Sequence, residues 1–522
     1  MLTPLPGMYE PYRLSPGPHL FADWHLVKAG HIRWTTATGD PATLWATEGF
    51  EDTAQPKPAE VPSGVRLRAQ PAQKSAPFLE CTEPWEHMIF YPTLIHDGGK
   101  YRLWYEVIPT DHWSGGRQGR GANLPMGFST LLCYAESDDL ITWRKPNLGL
   151  ASYHGVAETN IVLGGELGPD MGYHGGGIFI DPSAPPKERY KALFMGVLRA
   201  EKAASLEAAG KVIDPMSRPR GRDHGSAMYV ATSPDGLDWR VEPEPVLLAN
   251  SDTGNTAYYD TSLGRYVGYV RTWYYGRRAI GRTETDDFRR WPMPEPALWP
   301  LPEDLPSTDI YTNSHAYYPG SQSQHLMFPA MYHRHIDNTV VRLATSVEGV
   351  MWSWVPGEPV ISRGPLGAWD SGCLFAGHGL VAAPGDRVAQ VYVGYPVPHK
   401  YPRAALLGQV AVSYWPQGRL VALEAPGRGD FTTAELVFSG KHLALNVETE
   451  RAGEVLVEVA GRDGQPLPGR SFADADLVTA NQLRAIVTWK GQADLGQYAG
   501  QPVVLRFRLR SARLFAFEFL ED

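Results

Sequence analysis

The pattern (S/T)-x-(D/E)-x-x-x-W occurs four times in this sequence, each time after a short run rich in β-branched and aromatic residues. A hydroxyl and a carboxylate two positions apart bond the backbone of a tight turn, and the tryptophan anchors the strand that follows. A unit repeated at a spacing of tens of residues is typical of propellers and other repeat arrays. The four copies are Ser137–Trp143, Ser233–Trp239, Thr285–Trp291 and Ser346–Trp352.

Each copy marks the last hairpin of a four-stranded antiparallel unit. The stretch "HMIFYPTLIHDGGKYRLWYE" before the first copy contains two strand-like runs joined by a Gly-Gly turn, and similar pairs precede the other copies. A fifth unit, from "CLFAGHG" to "VSYWPQG", lacks the pattern, as an atypical terminal repeat does. The sequence therefore predicts an all-β fold with a five-bladed β-propeller.

The pattern of apolar and polar residues is different in the last part of the chain. Apolar and polar residues alternate over long stretches such as "KHLALNVETE" and "PVVLRFRLR", which predicts a C-terminal antiparallel β-sandwich. Only Leu198–Gly210 reads as a helix of ordinary length. The expected domains are residues 1–79 as a segment that packs on or closes the propeller, residues 80–428 as the propeller, and residues 429–522 as the sandwich.

Charge and composition exclude several classes of partner. The formal net charge is −9 and there is no long basic run, so nucleic acid is not an expected partner. There is no run of eighteen apolar residues and no apolar signal segment at the start, so we expect no membrane partner and a cytoplasmic location. The three cysteines are far apart, which indicates reduced thiols.

The segments before the predicted first strands carry most of the candidate site residues. In a four-stranded antiparallel blade, these segments and the loops between the second and third strands lie on one side. A single Asp before a strand usually closes a turn. Several carboxylates around one narrow channel instead raise one another's pKa, which is typical of acid–base catalysis. The residues in these segments are Glu83, Glu86, Asp170, His174, Asp252, Asp309, His315 and Asp370.

The loops between the second and third predicted strands are rich in cationic and aromatic side chains. They predict a polar rim for an oligosaccharide or glycoside, anionic glycans included; ordinary solvated loop polarity is the alternative interpretation. The rim residues are His112, Trp113, Arg117, Arg120, Arg222, His224, Tyr275, Arg277, Arg278, His333, His335, His399 and Lys400.

The chain resembles a known family in several phrases. "YPTLIHDGGKYRLWYE", "LCYAESDDLITWRKPNLGL", "ERYKALF", "RYVGYVR" and "KHLALNV" resemble bacterial proteins related to glycoside hydrolase family 32. The resemblance extends from about residue 80 to the end. It implies a five-bladed propeller followed by a β-sandwich and a glycosidase activity. In propeller glycosidases of families 32, 43 and 68, three channel carboxylates act as nucleophile or base, stabiliser and general acid.

The signature motifs of family 32 are absent from this chain. "EPWEHM", "YHGGG" and "SDTGN" stand where the three motifs would be. By matching position, Glu86 resembles the carboxylate of blade one and Asp252 that of blade three, the position of the general acid. The carboxylate of blade two has no clear counterpart.

The predicted function is glycoside hydrolysis, transglycosylation included, by paired carboxylates at the mouth of the channel. A non-catalytic carbohydrate-binding propeller is the alternative. We expect no cofactor, because close-spaced metal motifs and phosphate-binding glycine loops are absent; a channel cation held by His174 and His315 is the competing interpretation. The predicted catalytic residues are Glu86, Asp252 and Asp309, and the predicted substrate-binding residues are Trp85, His174, Arg271, Tyr311, His315, Asp370 and His399.

Overall fold

The computed structural model of the chain is nearly all β. It describes residues 10–30, 32–35, 41–45, 60–109, 130–164, 172–219, 223–321, 324–400 and 407–521. The chain divides into two compact units. The first unit comprises Met1–Gln70, Val355–Glu358 and Pro416–Asp522, and the second comprises Pro71–Trp354 and Pro359–Trp415. None of the helices in the described ranges is long and apolar enough to cross a membrane.

The first sheet of the second unit contains the predicted hairpin. Its turn at Gly98 and Gly99 has φ values of 60° and 76°, which glycine adopts without strain. Strands β7 to β10 pair antiparallel in sequence order, and β11 adds to β9. The first eleven strands are β1 (Tyr12–Arg13), β2 (His19–Leu20), β3 (Ile32–Thr35), β4 (Pro41–Trp45), β5 (Arg66–Ala69), β6 (Gln73–Lys74), β7 (Met88–Asp97), β8 (Lys100–Ile108), β9 (Leu131–Ser137), β10 (Trp143–Arg144) and β11 (Ile161–Leu163).

The second and third sheets each have four antiparallel strands in sequence order. A single described α-helix, α1 (Ala200–Ala208), follows the second strand of the second sheet, within the predicted helical stretch. The second sheet contains β12 (His174–Ile180), β13 (Tyr190–Arg199), β14 (His224–Ser233) and β15 (Arg240–Val241). The third sheet contains β16 (Thr256–Asp260), β17 (Arg265–Tyr274), β18 (Arg277–Thr285) and β19 (Glu295–Leu298).

The fourth sheet is divided into two parts, β20-β23-β24 and β21-β22-β25-β26, because its strands are broken partway along their length. Phe328 N–H still donates to Asn313 O, and Arg342 N–H to Pro329 O, both at 3.0 Å, so the two halves remain connected. Pro329 has no N–H to donate, which contributes to the break. Its strands are β20 (Thr308–Thr312), β21 (His315–Tyr317), β22 (His325–Met327), β23 (Ala330–His333), β24 (Asn338–Val341), β25 (Ala344–Ser346) and β26 (Ser353–Trp354).

The fifth sheet takes its outermost strand from the N-terminal segment. It contains β27 (Cys373–Ala383), β28 (Arg387–Tyr395) and β29 (Gln409–Pro416). Strand β6 pairs antiparallel with β29, in register Ser413 with Lys74.

The first strands of neighbouring sheets run side by side in parallel. His378 in β27 forms a parallel bridge with Thr93 in β7. Gly176 in β12 forms one with Asn255, which directly precedes β16. The starts of these strands therefore lie on one side of the second unit, and their ends lie on the other.

The repeated turn pattern precedes the fourth strand of its sheet. Ser137 Oγ accepts the N–H of Leu140, and Ser233 Oγ that of Gly236, both at 2.9 Å. The indole of Trp239 donates to Gly236 O at 2.9 Å, and the copy at the end of β25 repeats both bonds. The predicted role of the hydroxyl in these turns is confirmed.

The first unit is built on one eight-stranded sheet with the order β1-β31-β34-β30-β5, to which β2, β32 and β33 are added. The N-terminal strands β1, β2 and β5 therefore belong to the same sheet as the C-terminal region. The rings of Phe431 and Phe507 stack in its core with centroids 4.7 Å apart. The remaining strands are β30 (Val421–Thr432), β31 (Leu436–Val437), β32 (His442–Gly461), β33 (Asn481–Ile486) and β34 (Pro502–Leu520).

Candidate functional site

The strand starts of the second and third sheets touch at a glycine. Asn255 N–H donates to Gly175 O at 2.9 Å. A Cβ at Gly175 would lie 3.0 Å from Thr253 Cα, and the residue has a φ of 61°, so glycine is required here. This close approach brings together the segments that carry His174 and Asp252.

Glu106 is a fully buried carboxylate in β8 that bridges the first and second sheets. Its Oε1 lies 2.5 Å from His174 Nδ1, and its Oε2 accepts the N–H of Gly175 at 2.7 Å. A buried carboxylate is costly unless it is paired and hydrogen-bonded, and these two contacts provide both. A carboxylate on Nδ1 fixes the orientation and the tautomer of the imidazole. None of the described residues hydrogen-bonds to the other ring nitrogen, Nε2.

Arg271 in β17 forms the second ion pair. Its Nη1 contacts Asp252 Oδ1, and its Nη2 donates to Thr253 Oγ1 and to Tyr311 O, the latter at 2.8 Å. Burial lowers the pKa of Arg271, although Tyr311 opposes the shift; a guanidinium nevertheless stays charged in proteins. The side chain of Arg271 is 2% exposed and that of Asp252 is 36% exposed. Asp252 is therefore an ion-paired carboxylate that solvent reaches on one side.

Three cationic side chains lie around the ring of Tyr311 in β20. Arg271 Cζ lies 4.5 Å, Arg278 Cζ 5.4 Å and Lys400 Nζ 5.3 Å from the ring centroid. Lys400 Nζ also donates to the Tyr311 hydroxyl at 3.2 Å. The ring of His399 meets Tyr311 edge-on, with centroids 4.8 Å apart. The result is a concentration of positive charge beside Asp252.

Asp309 lies next to this group, and its carboxylate is paired with two arginines. It is fully buried, Arg278 Nη1 is 2.6 Å from Oδ2, and Arg334 Nε is 3.4 Å from the same oxygen. The sequence predicted a loop here before a strand at His315, and this prediction is wrong. Thr308–Thr312 is a strand, paired with β23, so Asp309 and Tyr311 are positioned by a sheet.

Tyr91 lies beside His174. Its ring centroid lies 5.8 Å from that of His174. Burial raises the pKa of the Tyr91 hydroxyl well above its ordinary value, and Tyr311 and Glu106 act in the same direction. The hydroxyl therefore stays protonated. The backbone φ of Tyr91 is 40°, in the left-handed region that non-glycine residues rarely adopt. Backbone strain of this kind is found most often at functional sites.

These contacts define one group of side chains, which we call the Asp252 cluster: Tyr91, Glu106, His174, Asp252, Arg271 and Tyr311. Four of its members were predicted from the sequence, and His399 and Asp309 border it. The sequence interpretation missed Glu106 and Tyr91. Glu106 had one available signal: it is the single charged residue in the apolar run "LWYEVI", and a lone buried charge requires a partner.

Glu86 and Trp85 lie in a different environment. The Tyr105 hydroxyl donates to Glu86 Oε1 at 2.7 Å. Because Tyr105 and Glu106 are adjacent in β8, their side chains point to opposite faces of the first sheet. Lys145 Nζ lies 2.6 Å from Glu86 Oε2, and the Glu86 side chain is fully buried. Trp85 donates to an asparagine amide that also donates to Tyr105. The structure does not bring these two residues into the Asp252 cluster.

His315 and Asp370 also lie apart from the cluster. His315 Nε2 is 3.2 Å from His325 Nδ1, and its ring stacks on Tyr258 with centroids 4.6 Å apart. Burial lowers the pKa of His315 well below its ordinary value, so the ring is neutral. Asp370 Oδ2 lies 2.6 Å from Lys74 Nζ, an ion pair between the segment before β27 and the outer strand β6.

Some of the predicted rim can be placed. Arg277 donates to Thr308 O at 2.9 Å, and the His333 ring lies 3.1 Å from Thr308 Oγ1, so both support the start of β20. Among the described residues, no group of three or more His, Cys, Asp or Glu side chains could hold a metal ion. The predicted residues outside the described ranges are His112, Trp113, Arg117, Arg120, Asp170 and Arg222.

No protein-family model matches this chain, and no curated protein matches it either. Solved structures with a similar arrangement include glycoside hydrolases. A glycosyl hydrolase from Bacteroides ovatus is 13% identical with a TM-score of 0.43, and the match covers 67% of this chain and 95% of that one. The family 32 β-fructofuranosidase of Bombyx mori is 11% identical with a TM-score of 0.39, covering 85% and 94%.

A further similar structure is an N-acetylgalactosamine deacetylase from F. plautii, in complex with blood group B trisaccharide. It is 13% identical with a TM-score of 0.42, and the match covers 67% of this chain and 94% of that chain. These low identities and scores do not assign the chain to one family. A function for this chain has to be argued from its own residues.

Proposed function

We propose that this chain is a glycoside hydrolase whose active site is the Asp252 cluster. The observation behind the proposal is that two carboxylate contacts meet at Gly175, Glu106 with His174 and Asp252 with Arg271. One pair offers a proton-transfer group and the other an ionised carboxylate. Glycoside hydrolysis needs both, one to protonate the departing oxygen and one to attack the sugar or activate water.

The architecture in this proposal is a five-bladed β-propeller followed by a C-terminal β-sandwich. The support is the series of sheets in the second unit, whose strands mostly pair in sequence order, and the parallel bridges between first strands. In a propeller, the strand starts surround one mouth of the central channel.

The two carboxylates have different roles in this mechanism. Asp252 acts directly as nucleophile or base, because Arg271 stabilises its ionised form and solvent reaches it. Glu106 acts through His174. The Glu106 carboxylate holds Nδ1 of the His174 ring, and the ring donates a proton from Nε2 to the departing glycosidic oxygen. The pair proposed here is therefore Glu106 and Asp252, in place of Glu86 and Asp252. When an alcohol replaces water, the same groups catalyse transglycosylation.

The substrate in this proposal is an anionic oligosaccharide or glycoside. Four cationic side chains lie around the ring of Tyr311 and the carboxylates of Asp252 and Asp309. An anionic group is recognised by arginine through paired hydrogen bonds. The cations are Arg271, Arg278, Arg334 and Lys400, and the carboxylates that they contact are Asp252 and Asp309.

The direct test is a hydrolysis screen with uronate-containing, sialylated, sulfated and neutral glycans and their aryl glycosides. The wild-type protein is expected to release product from an anionic member, and Asp252→Asn is expected to lose that activity. Retained turnover in Asp252→Asn would show that the active site lies elsewhere. Tight glycan binding without product release from any substrate would instead identify a non-catalytic carbohydrate-binding protein.

A further inference from the structure

The hairpin of β17 and β18 carries a tryptophan that the mechanism above does not use. Trp273 is 39% exposed, although tryptophan is highly buried on average. The pairing of β17 with β16 ends at Tyr269, whereas its pairing with β18 continues to Tyr274. The hairpin therefore extends past the start of β16, on the side where Asp252 precedes that strand.

Trp273 lies on the same face of the third sheet as Arg271. Side chains alternate along a strand, so residues two positions apart point to one face and lie about 7 Å apart along the strand. Arg271 contacts Asp252 and packs on the ring of Tyr311, both members of the Asp252 cluster. The indole is therefore the next side chain beyond the cluster on this face of β17.

Arg278 joins the indole to the cluster. Trp273 and Arg278 pair across the hairpin, and the guanidinium Cζ lies 5.1 Å from the centroid of the Trp273 ring. The same atom lies 5.4 Å from the centroid of the Tyr311 ring. Asp309 holds Arg278 twice, since Oδ1 accepts its backbone N–H at 3.1 Å and Oδ2 lies 2.6 Å from Nη1. One fixed guanidinium therefore contacts both rings.

The turn of this hairpin is short. Tyr275 and Gly276 have φ values of 48° and 75°, as the two central residues of a tight hairpin turn require. A positive φ is rare for tyrosine and costs free energy. The tight turn holds Trp273 opposite Arg278 before any ligand arrives, which reduces the entropy that is lost on binding.

The indole suits a sugar residue in both chemistry and position. An exposed indole offers a large apolar face, which packs against the apolar face of a pyranose ring, and its N–H can donate to a hydroxyl group. The step of about 7 Å from Arg271 to Trp273 is of the size of one sugar residue in a glycan chain. A sugar beside Arg271 thus places its neighbour in the chain beside Trp273.

We propose that Trp273 forms a second sugar-binding subsite, where the indole packs against the sugar residue next to the one bound at the Asp252 cluster. The inference rests on the proposed function, since the bound chain is taken to be the oligosaccharide substrate of that cluster. Trp273 then sets a preference for chains of two or more sugar residues and takes no part in bond cleavage.

Isothermal titration calorimetry tests this subsite by comparing the Kd of a monosaccharide with that of a longer chain that contains it. Wild-type protein and Asp252→Asn are both titrated, the latter to exclude hydrolysis. In at least one pair the longer chain is expected to bind at least tenfold more tightly. Trp273→Ala is expected to remove that gain and to leave the Kd of the monosaccharide unchanged. The pairs are D-galacturonate and digalacturonate, N-acetylneuraminate and sialyllactose, D-glucuronate and hyaluronan tetrasaccharide, and D-mannose and mannobiose.

Trp273→Phe and Trp299→Ala are the control variants. Phenylalanine keeps an aromatic ring at the subsite, so Trp273→Phe is expected to retain part of the gain. Trp299 is 41% exposed, but its ring stacks on Tyr274, which points to the other face of β17. Trp299→Ala should therefore leave both Kd values unchanged.

The proposal is overturned if no longer chain binds more tightly than its monosaccharide, if Trp273→Ala keeps the gain, or if Trp273→Ala weakens monosaccharide binding by the same factor. It is also overturned if Trp273→Ala changes the association state in analytical ultracentrifugation and not the glycan affinity, because the ring would then contact another copy of the chain. A gain that depends on Trp273, without product release by the wild type, would support the subsite and overturn only the hydrolase assignment.

Discussion

Glu106 Oε1 lies 2.5 Å from His174 Nδ1, and this contact joins the second strand of the first sheet to the first residue of the second sheet. The two side chains are 1% and 5% exposed, so water does not compete for the bond. Gly175 adds a backbone N–H to the same carboxylate. The ring of His174 is therefore held in one orientation by a partner 68 residues earlier in the chain.

Glu106→Gln is expected to lower kcat/KM about 100-fold, because an amide at this position no longer fixes the tautomer and orientation of the His174 ring. His174→Ala is expected to cost at least as much. Since Glu106 acts through His174, the double variant should be no slower than His174→Ala alone. Steady-state kinetics on the three variants measures this coupling, and additive losses would show that Glu106 acts independently of the ring.

Glu86→Gln is the matched control for Glu106→Gln. Both carboxylates are buried and paired in the first sheet, but they lie on opposite faces. The control variant should lower the urea midpoint, because the ammonium group of Lys145 loses its carboxylate partner. Its folded fraction should keep the wild-type kcat/KM.

Asp252→Asn is expected to lower kcat by about 10²–10⁴-fold. It is also expected to lower the melting temperature, because the buried guanidinium of Arg271 loses its carboxylate partner. Glu284→Gln provides the control in the same sheet. Glu284 is also 36% exposed and also paired with arginine, at Arg265. Wild-type turnover by the control and loss in Asp252→Asn would separate chemistry from the effect of breaking an ion pair. Equal losses would contradict the assignment.

The features that the sequence predicts well are local. The turn at Ser137 depends on residues within seven positions of it, and the hairpin at Gly98 depends on four. Within the second and third sheets, neighbouring strands are also neighbours in the chain. Pattern and turn chemistry therefore predict the all-β class and most strands without knowledge of long-range contacts.

The features that it predicts poorly depend on distant pairing. Strand β6 is only Gln73–Lys74, and its partner β29 lies more than 300 residues later, so no local signal identifies it. The stretch "TDIYT" has polar turn residues, yet burial against β23 makes it a strand. Tertiary contacts override local propensity at both places.

The candidate site shows the same limit at a finer scale. Glu86 directly precedes a first strand, as the sequence argument requires, but its carboxylate points to the face of the first sheet opposite Glu106. Side chains alternate along a strand, so one position decides which face a carboxylate reaches. Glu106 comes from the second strand, where the sequence argument did not look.

Substrates with an activated leaving group should distinguish the two halves of the proposed mechanism. A dinitrophenyl glycoside needs little protonation of its departing oxygen, so His174→Ala is expected to recover most of its lost activity on it. Asp252→Asn should remain slow, because the attacking carboxylate or base is still missing. Steady-state rates on the dinitrophenyl and unactivated alkyl glycosides measure the difference. Rescue of Asp252→Asn instead would assign the acid role to Asp252.

Lys191→Met is expected to destabilise the second unit by about 3–5 kcal/mol, because it leaves Asp181 buried without its cation. Lys191 Nζ lies 2.6 Å from Asp181 Oδ2, and the two side chains are 3% and 0% exposed. Replacing both residues together with apolar side chains should recover most of the loss. Urea unfolding measures each variant. Asp181 follows the end of β12, away from the Asp252 cluster, so kcat of the folded protein should not change.

Stability should decrease as the pH falls from about 6.5 to about 4, because buried histidines resist protonation. Burial lowers the pKa of His325 to about 4, despite the opposing charges of Asp260 and Glu348, and lowers that of His378 to about 4. In the unfolded chain these rings take up protons near their ordinary value of 6.5. The unfolded state therefore binds more protons throughout this window, and each ring contributes a loss of about 1.4 kcal/mol per pH unit.

Urea unfolding of the wild type at several pH values within that window measures the slope, and His378→Phe should reduce it by the share of one histidine. His335→Phe is the control, because His335 is exposed and its replacement should leave the slope unchanged. Limited proteolysis measures the unfolding of the first unit separately. A loss of stability in the first unit is then not attributed to these two histidines, which belong to the second unit. A flat stability profile between pH 6.5 and pH 4 would mean that these rings are protonated as readily in the folded protein as in the unfolded chain.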